Sequence, residues 1–359
     1  MDKHFSRYLD LMRFTAAVMV VLTHYVQRGI IGDPAHPLPI FGREAVMVFF
    51  LLSGFVIAYT TSEKALSLRQ YVVARCARIY SVALPMVLLC FVLVVLAAQF
   101  AQIPANIAYQ PLKPYIYIPL HLLFMGELWN LAETPPWLIQ YWSLGYEVWY
   151  YVLFGVAYYL RGAKRLLLGA LVLLVMGPKL WLLLPVWLAG AYMYKYQKDL
   201  PLSRTLARCG WLATIVLLCA YKYYGLDLTL RALGSQLWPF PALRLGSADR
   251  YLADYVVCIL IYLNFVLARQ ADFSFLARWD RPIRALAAYT FTLYLIHGPV
   301  MGLWELFYRH DRHSALDVAA LSVTIGLATF AAGMLTEQRK GWFQDRFNAL
   351  WRSCSRRFA

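Results

Sequence analysis

The amino-acid sequence predicts an all-α, polytopic transmembrane helix bundle with about ten spans and both termini in the cytoplasm. Of the 359 residues, 61% are hydrophobic and only 15% are charged, whereas charged residues make up about 25% of a soluble domain. A soluble protein of this length could not bury so much apolar surface, so that class is excluded. The apolar residues also gather into stretches long enough to cross a bilayer, and most lysines and arginines fall between alternate stretches.

Ten apolar segments are candidates for spans of about 20 residues: 8–27, 43–61, 80–100, 141–160, 165–178, 180–196, 210–225, 251–268, 285–308 and 315–335. The fifth and the seventh are short. The first carries polar residues and is not followed by a small-residue cleavage site, so we expect it to remain as a helix. Lysine and arginine accumulate in cytoplasmic loops because they resist translocation. The net charge of +15 is therefore attributed to topology and not to nucleic-acid binding.

The sequence divides into a transmembrane domain over residues 1–336 and a tail over residues 337–359. The tail places aromatic and aliphatic side chains among basic ones, which is typical of an amphipathic helix on an anionic membrane surface. The apolar run Pro119–Leu131 is too short to cross, so it is expected to be re-entrant or interfacial. The six cysteines have no metal-ligand spacing, and we interpret them as structural, with no metal site.

Arg13 and His24 lie within the first apolar segment, where a charged side chain is costly and by default points to function. They are eleven residues apart, about three turns, so they share one helix face and stand roughly 16 Å apart along the axis. Imidazole is suited to taking a proton from a hydroxyl near neutral pH. A lone histidine would more readily be a hydrogen-bonding residue between helices, but the shared face favours chemistry.

Two further segments carry candidates with two interpretations each. Arg75 and Arg78, three residues apart, would share a helix face with room for phosphates between them and Arg13, or would simply anchor a span by the positive-inside rule. Ser53 precedes Gly54 in a helix centre, where small residues indicate close packing; a nucleophilic serine is the less favoured interpretation.

Glu147 and His297 are the remaining ionisable candidates within apolar segments. By helix rise Glu147 lies roughly 9 Å below the end of its span, at the depth inferred for His24, so it is predicted to orient that imidazole. The alternative is a salt bridge to another cation such as Arg13. His297 either takes part in catalysis or caps the carbonyl of Leu295, which Pro299 would leave without its helical hydrogen bond.

Taken together, these stretches resemble the acyltransferase-3 family of integral membrane acyltransferases over most of the chain. The resemblance rests on five blocks in order: Arg13 with ten residues to His24; Phe49–Phe55 around Ser53; Arg75 with Arg78; Trp142-Ser143-Leu144 with Glu147; and Tyr294–Val300 with His297 and Pro299. It implies a member without an appended soluble hydrolase-like domain. Ser53, Trp142, Tyr294 and His297 are then expected to be supporting residues.

The resemblance implies transfer of an acyl group, expected to be acetyl, from acyl-CoA to a hydroxyl of a surface or exported carbohydrate or glycolipid. In this hypothesis Arg13, Arg75 and Arg78 hold the donor phosphates from the cytoplasmic side. His24, oriented by Glu147, is the general base or carries the acyl group itself. The expected location is a bacterial inner membrane, and the expected modification is polysaccharide O-acetylation.

Two other functions are compatible with the same residues. A polytopic transporter or flippase for a lipid-linked or anionic substrate would also have many spans and buried charges, although no internal repeat of the kind common in transporters is visible. A non-catalytic membrane scaffold would tolerate leucine in place of both Arg13 and His24. These alternatives differ from an acyltransferase in needing no acyl donor.

Overall fold

A computed structural model describes residues 3–32, 38–196 and 202–357, and within these ranges the chain is helical with no β-strand. Four 3-10 turns, at Ile139–Tyr141, Gly246–Ala248, Ser274–Trp279 and Glu337–Arg339, connect the helices. The helices are α1 (Lys3–Gln27), α2 (Gly42–Glu63), α3 (Leu68–Ala97), α4 (Ala105–Ala108), α5 (Pro114–Leu122), α6 (Trp142–Tyr159), α7 (Gly162–Met176), α8 (Pro178–Lys195), α9 (Arg204–Tyr223), α10 (Leu226–Leu237), α11 (Tyr251–Gln270), α12 (Asp280–Ala287), α13 (Thr290–Phe307), α14 (Ala315–Leu335) and α15 (Lys340–Arg357).

A helix occupies each of the ten predicted segments, but ten spans are not confirmed. Among the described residues six helical segments are long and apolar enough to cross a membrane: α1, α2, α3, α9, α11 and the segment Ala315–Ser353. The number rises to eight if each of two bent pairs forms one span, namely α7 with α8 and Ser274–Ala287 with α13. The fold is therefore an all-helical membrane bundle of six to eight candidate spans.

The break between α7 and α8 explains why two predicted spans are not independent. The pair bends by 116° at Gly177, whose φ of +74° favours glycine, and Pro178 begins the next helix. Indole N–H groups satisfy the carbonyls near the end of α7: Trp129 donates to Leu174 at 3.0 Å and Trp181 to Leu173 at 2.8 Å. Irregular backbone at this depth is tolerated because protein groups complete its hydrogen bonds.

Helix α2 forms the centre of the bundle and packs most closely against α8. A Cβ on Gly54 would overlap the carbonyl of Trp187, and one on Gly190 would overlap the carbonyl of Leu51. Two glycines on facing helices thus allow the backbones to touch, as small residues commonly do between membrane helices. This contact fixes the height of Ser53 in the bundle.

Buried ion pairs tie a loop and a neighbouring helix to this core. Lys179 at the start of α8 is 2% exposed and contacts Glu127 at 3.2 Å, while also donating to the carbonyl of Leu131. Arg43 pairs with Asp254 on α11 at 2.5 Å. Removing charges from water is costly, and each of these four charges has a partner.

The predicted re-entrant or interfacial run Pro119–Leu131 ends α5 and continues into an irregular segment folded against the helices. His121, 1% exposed, is 2.9 Å from Gln110 through Nε2. Gln110 donates its amide to the carbonyl of Thr134 at 2.9 Å, so its oxygen is free to accept from His121. Burial lowers the pKa of His121 to about 4, and the ring is neutral at physiological pH.

Most of the predicted tail forms helix α15, and residues 358 and 359 of the tail lie outside the described residues. Phe347 packs on Tyr80 of α3 with ring centroids 5.9 Å apart, and Arg69 donates to Asn348 at 3.1 Å. Helix α3 itself begins earlier than the predicted span. Ser67 caps it with a capping box, so Arg75 and Arg78 lie within the helix.

Candidate functional site

Two cavities lie towards the opposite ends of α1. The first, which we call the arginine cavity, has a volume of about 300 Å³, and its lining includes Arg13, Arg75, Arg78, Glu147, Glu337 and Lys340. The second, the histidine cavity, has a volume of about 560 Å³, and its lining includes His24, Gln27, Arg28, Asn106, Gln110, Trp137 and Glu305. The helical spacing of Arg13 and His24 thus places one residue in each cavity.

The arginine cavity brings together the three arginines that the sequence singled out. Arg13 projects from α1, while Arg75 and Arg78 project from neighbouring turns of α3. Arg13 lies 3.4 Å from Asp10, and the carboxylates of Glu147 and Glu337 lie within electrostatic reach of Arg78. Guanidinium groups in such a cluster can bind phosphate oxygens in pairs.

A chain of hydrogen bonds fixes Glu147 and Ser53 on one wall of this cavity. Tyr151 donates its hydroxyl to the Glu147 carboxylate and lies 3.0 Å from Ser53. Ser53 therefore donates to Tyr151 and accepts from the indole of Trp187 at 3.1 Å. The serine hydroxyl is held by two neighbours inside the bundle, which agrees with its interpretation as a packing residue.

The predicted contact between Glu147 and His24 is not formed among the described residues. Glu147 lines the arginine cavity and is bonded to Tyr151, whereas His24 lines the histidine cavity. The depth estimate assumed that both helices begin level at the membrane surface. Helix α6 begins at Trp142, one residue after the predicted start, so the lateral order of the helices, and not a shift in the start of α6, separates Glu147 from His24.

His24 pairs with His297, a partner that its position in the sequence did not reveal. Nδ1 of His24 lies 2.8 Å from Nε2 of His297, and Nδ1 of His297 lies 2.8 Å from the carbonyl oxygen of Leu293. A carbonyl only accepts, so Nδ1 of His297 carries the proton and its Nε2 accepts. His24 must then donate from Nδ1, which leaves Nε2 of His24 as the unprotonated nitrogen.

The carbonyl left free by Pro299 is capped by a residue that the sequence analysis missed. The side-chain amide of Gln140 donates to the carbonyl of Leu295 at 2.9 Å, so His297 does not serve as that cap. Pro299 was the available signal, because it predicts an unpaired carbonyl four residues earlier. Only the fold identifies Gln140 as the donor.

Tyr294 stands between the two cavities. It lines the arginine cavity, and its ring packs edge-on against His297 with centroids 6.4 Å apart. Its hydroxyl lies 2.7 Å from Ser143 and 3.1 Å from the carbonyl oxygen of Gln140. Tyr294, His297 and Gln140 thus form a partition between the arginines and His24.

Trp142 lies outside the described lining of both cavities. The guanidinium of Arg43 lies 4.6 Å from the centroid of the Trp142 ring, and the ring also packs edge-on against Phe50 and Tyr146. Trp142 therefore supports the N-terminal end of α6. In the part of the chain that the structure describes, no three His, Cys, Asp or Glu residues gather as metal ligands.

Comparison with known proteins gives one match. A family model described as an acyltransferase domain, acyltransferase-3, matches residues 6–337, which include every residue of the two cavities named above except Lys340. No curated protein and no solved structure matches the chain. Because the match extends over nearly the whole chain, the protein belongs to the acyltransferase-3 family and is a membrane O-acyltransferase.

Proposed function

We propose that the protein transfers an acyl group, acetyl in the simplest case, from cytoplasmic acyl-CoA to a hydroxyl of a surface or exported carbohydrate or glycolipid. The observation that carries the proposal is the hydrogen-bond order of His24 and His297, which leaves Nε2 of His24 unprotonated beside the histidine cavity. An imidazole with its second nitrogen oriented by a fixed acceptor is the arrangement of a general base.

The arginine cavity is the proposed donor side. Coenzyme A is polyanionic, and Arg13, Arg75 and Arg78 offer guanidinium groups that suit phosphate geometry. Helix α1 and the start of α15, which adjoin the two segments predicted to be cytoplasmic tails, both contribute to this cavity at one end of the bundle. We assign that end to the cytoplasm of a bacterial inner membrane, because basic residues accumulate on the cytoplasmic side and acyl-CoA is made there.

The histidine cavity is the proposed acceptor side. Carboxamides from Gln27 and Asn106 line it together with the indole of Trp137, and Arg28 pairs with Glu305 at 2.7 Å. Carboxamides hydrogen-bond hydroxyl groups, and an aromatic face packs against the apolar face of a sugar ring. These groups support a carbohydrate acceptor.

In the proposed step, Nε2 of His24 removes the proton from the acceptor hydroxyl as its oxygen attacks the thioester carbonyl. A new C–O bond forms and the C–S bond breaks. The proton then passes from His24 to the departing thiolate, so the products are an ester and CoA with a free thiol. His297 accepts the Nδ1–H bond of His24 throughout and stabilises the charged ring, the role predicted for Glu147.

The test uses membranes containing the protein, with radiolabelled acetyl-CoA and mass spectrometry of surface glycans and lipids. We expect one added acyl group in cells with the gene, no transfer with His24→Ala, and a raised KM for acetyl-CoA with Arg78→Ala. His313→Ala, at an exposed position, is the control.

Wild-type transfer by His24→Ala would overturn the proposal, and uptake of a solute by liposomes without acyl-CoA would favour a transporter. Acetyl-CoA alone, without acceptor, separates the two roles of His24. Direct base catalysis leaves the protein unmodified, whereas an acyl carrier would gain the mass of one acetyl group.

A further inference from the structure

The mouth of the arginine cavity contains a cation that the family match does not include. The match ends at residue 337, and Lys340, the first residue of α15, lines the same cavity as Arg75 and Arg78. Lys64, at the end of α2, lies within electrostatic reach of Lys340. Positive charge therefore continues from the cavity to its opening.

Among the described residues, the cations at the mouth have carboxylates within electrostatic reach but not in direct contact, namely Glu147 for Arg75 and Glu337 for Lys340. Neither Arg75 nor Lys340 makes an ion pair within the described ranges, and Nε of Arg75 is buried without a hydrogen-bond partner. A buried N–H without an acceptor is costly, so an oxygen from a ligand is expected there.

Helix α15 is fixed in the position that brings Lys340 to this site. Phe347 packs on Tyr80, and Asn348 accepts from Arg69 at 3.1 Å. Both partners belong to α3, the helix that also supplies Arg75. The tail and the arginine pair are thus held by the same helix.

We propose that Lys340 and Arg75 form a subsite for a terminal phosphomonoester, and that this subsite recognises the 3′-phosphate of the CoA donor. The inference rests on the proposed function. A phosphomonoester carries nearly two negative charges at neutral pH and three acceptor oxygens, whereas each phosphate of the pyrophosphate carries about one. The most anionic group of the donor therefore matches the cations at the mouth, where the buried Nε–H of Arg75 has no acceptor.

The experiment compares CoA with dephospho-CoA, which lacks only the 3′-phosphate, as ligands of the purified full-length protein in calorimetric titrations. We expect CoA to bind about tenfold more tightly to the wild-type protein. Lys340→Ala should weaken CoA binding by a similar factor and leave dephospho-CoA binding unchanged, so that the preference disappears. Lys340→Arg should keep the preference. Arg339→Ala is the matched control, because Arg339 is exposed and lies outside the described cavity lining.

Each outcome separates this subsite from the proposed function. Equal binding of both nucleotides by the wild-type protein, or an equal effect of Lys340→Ala on both, would overturn the subsite and leave CoA as the donor. Absence of binding by either nucleotide would overturn the proposed donor and the subsite together. Unchanged CoA binding in Lys340→Ala would remove Lys340 from the site.

Discussion

Replacing His297 with alanine removes the acceptor that the Nδ1 proton of His24 requires. His297 is fully buried, and its Nε2 lies 2.8 Å from Nδ1 of His24. A hydrogen bond left unmade in such a place costs about 1–3 kcal/mol. Without that bond the proton of His24 is free to move to Nε2, and the ring then cannot act as a base. The same 1–3 kcal/mol corresponds to a fall in kcat of about 5-fold to about 150-fold.

The assay for His297 is steady-state acyl transfer by purified protein, followed as release of the CoA thiol with the acceptor present. We expect kcat to fall while the KM for acetyl-CoA stays unchanged, because His297 is absent from the described lining of the arginine cavity. His297→Gln should recover most of the activity, since its carbonyl oxygen can accept the same proton. His313→Ala serves as the control for losing a histidine.

Thermal unfolding in the same detergent separates loss of catalysis from loss of fold. A His297→Ala protein that unfolds at the wild-type temperature and keeps more than half of the wild-type kcat would refute the proposed hydrogen-bond order. A fall in kcat that His297→Gln does not relieve would show that the ring itself, and not its acceptor atom, is needed.

Three other predictions concern the helix packing, the buried loop and the partition. Gly190→Ala should lower the melting temperature markedly because its Cβ overlaps the carbonyl of Leu51, whereas Gly169→Ala, with open space around it, should leave it unchanged or raise it slightly. Burial lowers the pKa of His121 from 6.5 to about 4, so between these two pH values the imidazole binds a proton in the unfolded chain but not in the folded protein. The free energy of unfolding should therefore decrease as the pH falls from 6.5 towards 4, and melting curves of His121→Gln should lack that decrease. Tyr294→Phe removes the hydroxyl bonds to Ser143 and Gln140 and should raise acetyl-CoA hydrolysis relative to transfer several-fold; an unchanged ratio in a thiol-release assay would contradict the partition.

The positions of the helices were predictable from the sequence, but their directions were not. Hydropathy records how apolar a segment is, and a helix was found at every predicted segment. Hydropathy does not record the bend of 116° between α7 and α8 at Gly177. Nor does it record the bend of 48° at residues 288 and 289, before α13. Gly177 and Pro178 stand at the first of these breaks, and only packing determines whether the chain continues straight or turns there.

The arginine cavity was more accessible to sequence reasoning than the histidine pair. Arg75 and Arg78 share a face through helical spacing alone, and the structure brings Arg13 to the same cavity. The partner of His24 lies 273 positions away. No local pattern specifies whether the side chain of Glu147 or that of His297 will reach the imidazole. Depth along a helix suggested Glu147, but the lateral order of the helices placed His297 there instead.

The separation of the two cavities limits what must move during the proposed reaction. Arg13 and His24 are roughly 16 Å apart along α1, and Tyr294 with His297 fills the space beside that helix. Under this arrangement the nucleotide of the donor stays among the arginines, and only its acyl arm needs to reach Nε2 of His24. The acceptor never has to leave the histidine cavity. A small rearrangement of the Tyr294 partition would therefore bring the two substrates together while each remained on its own side of the membrane.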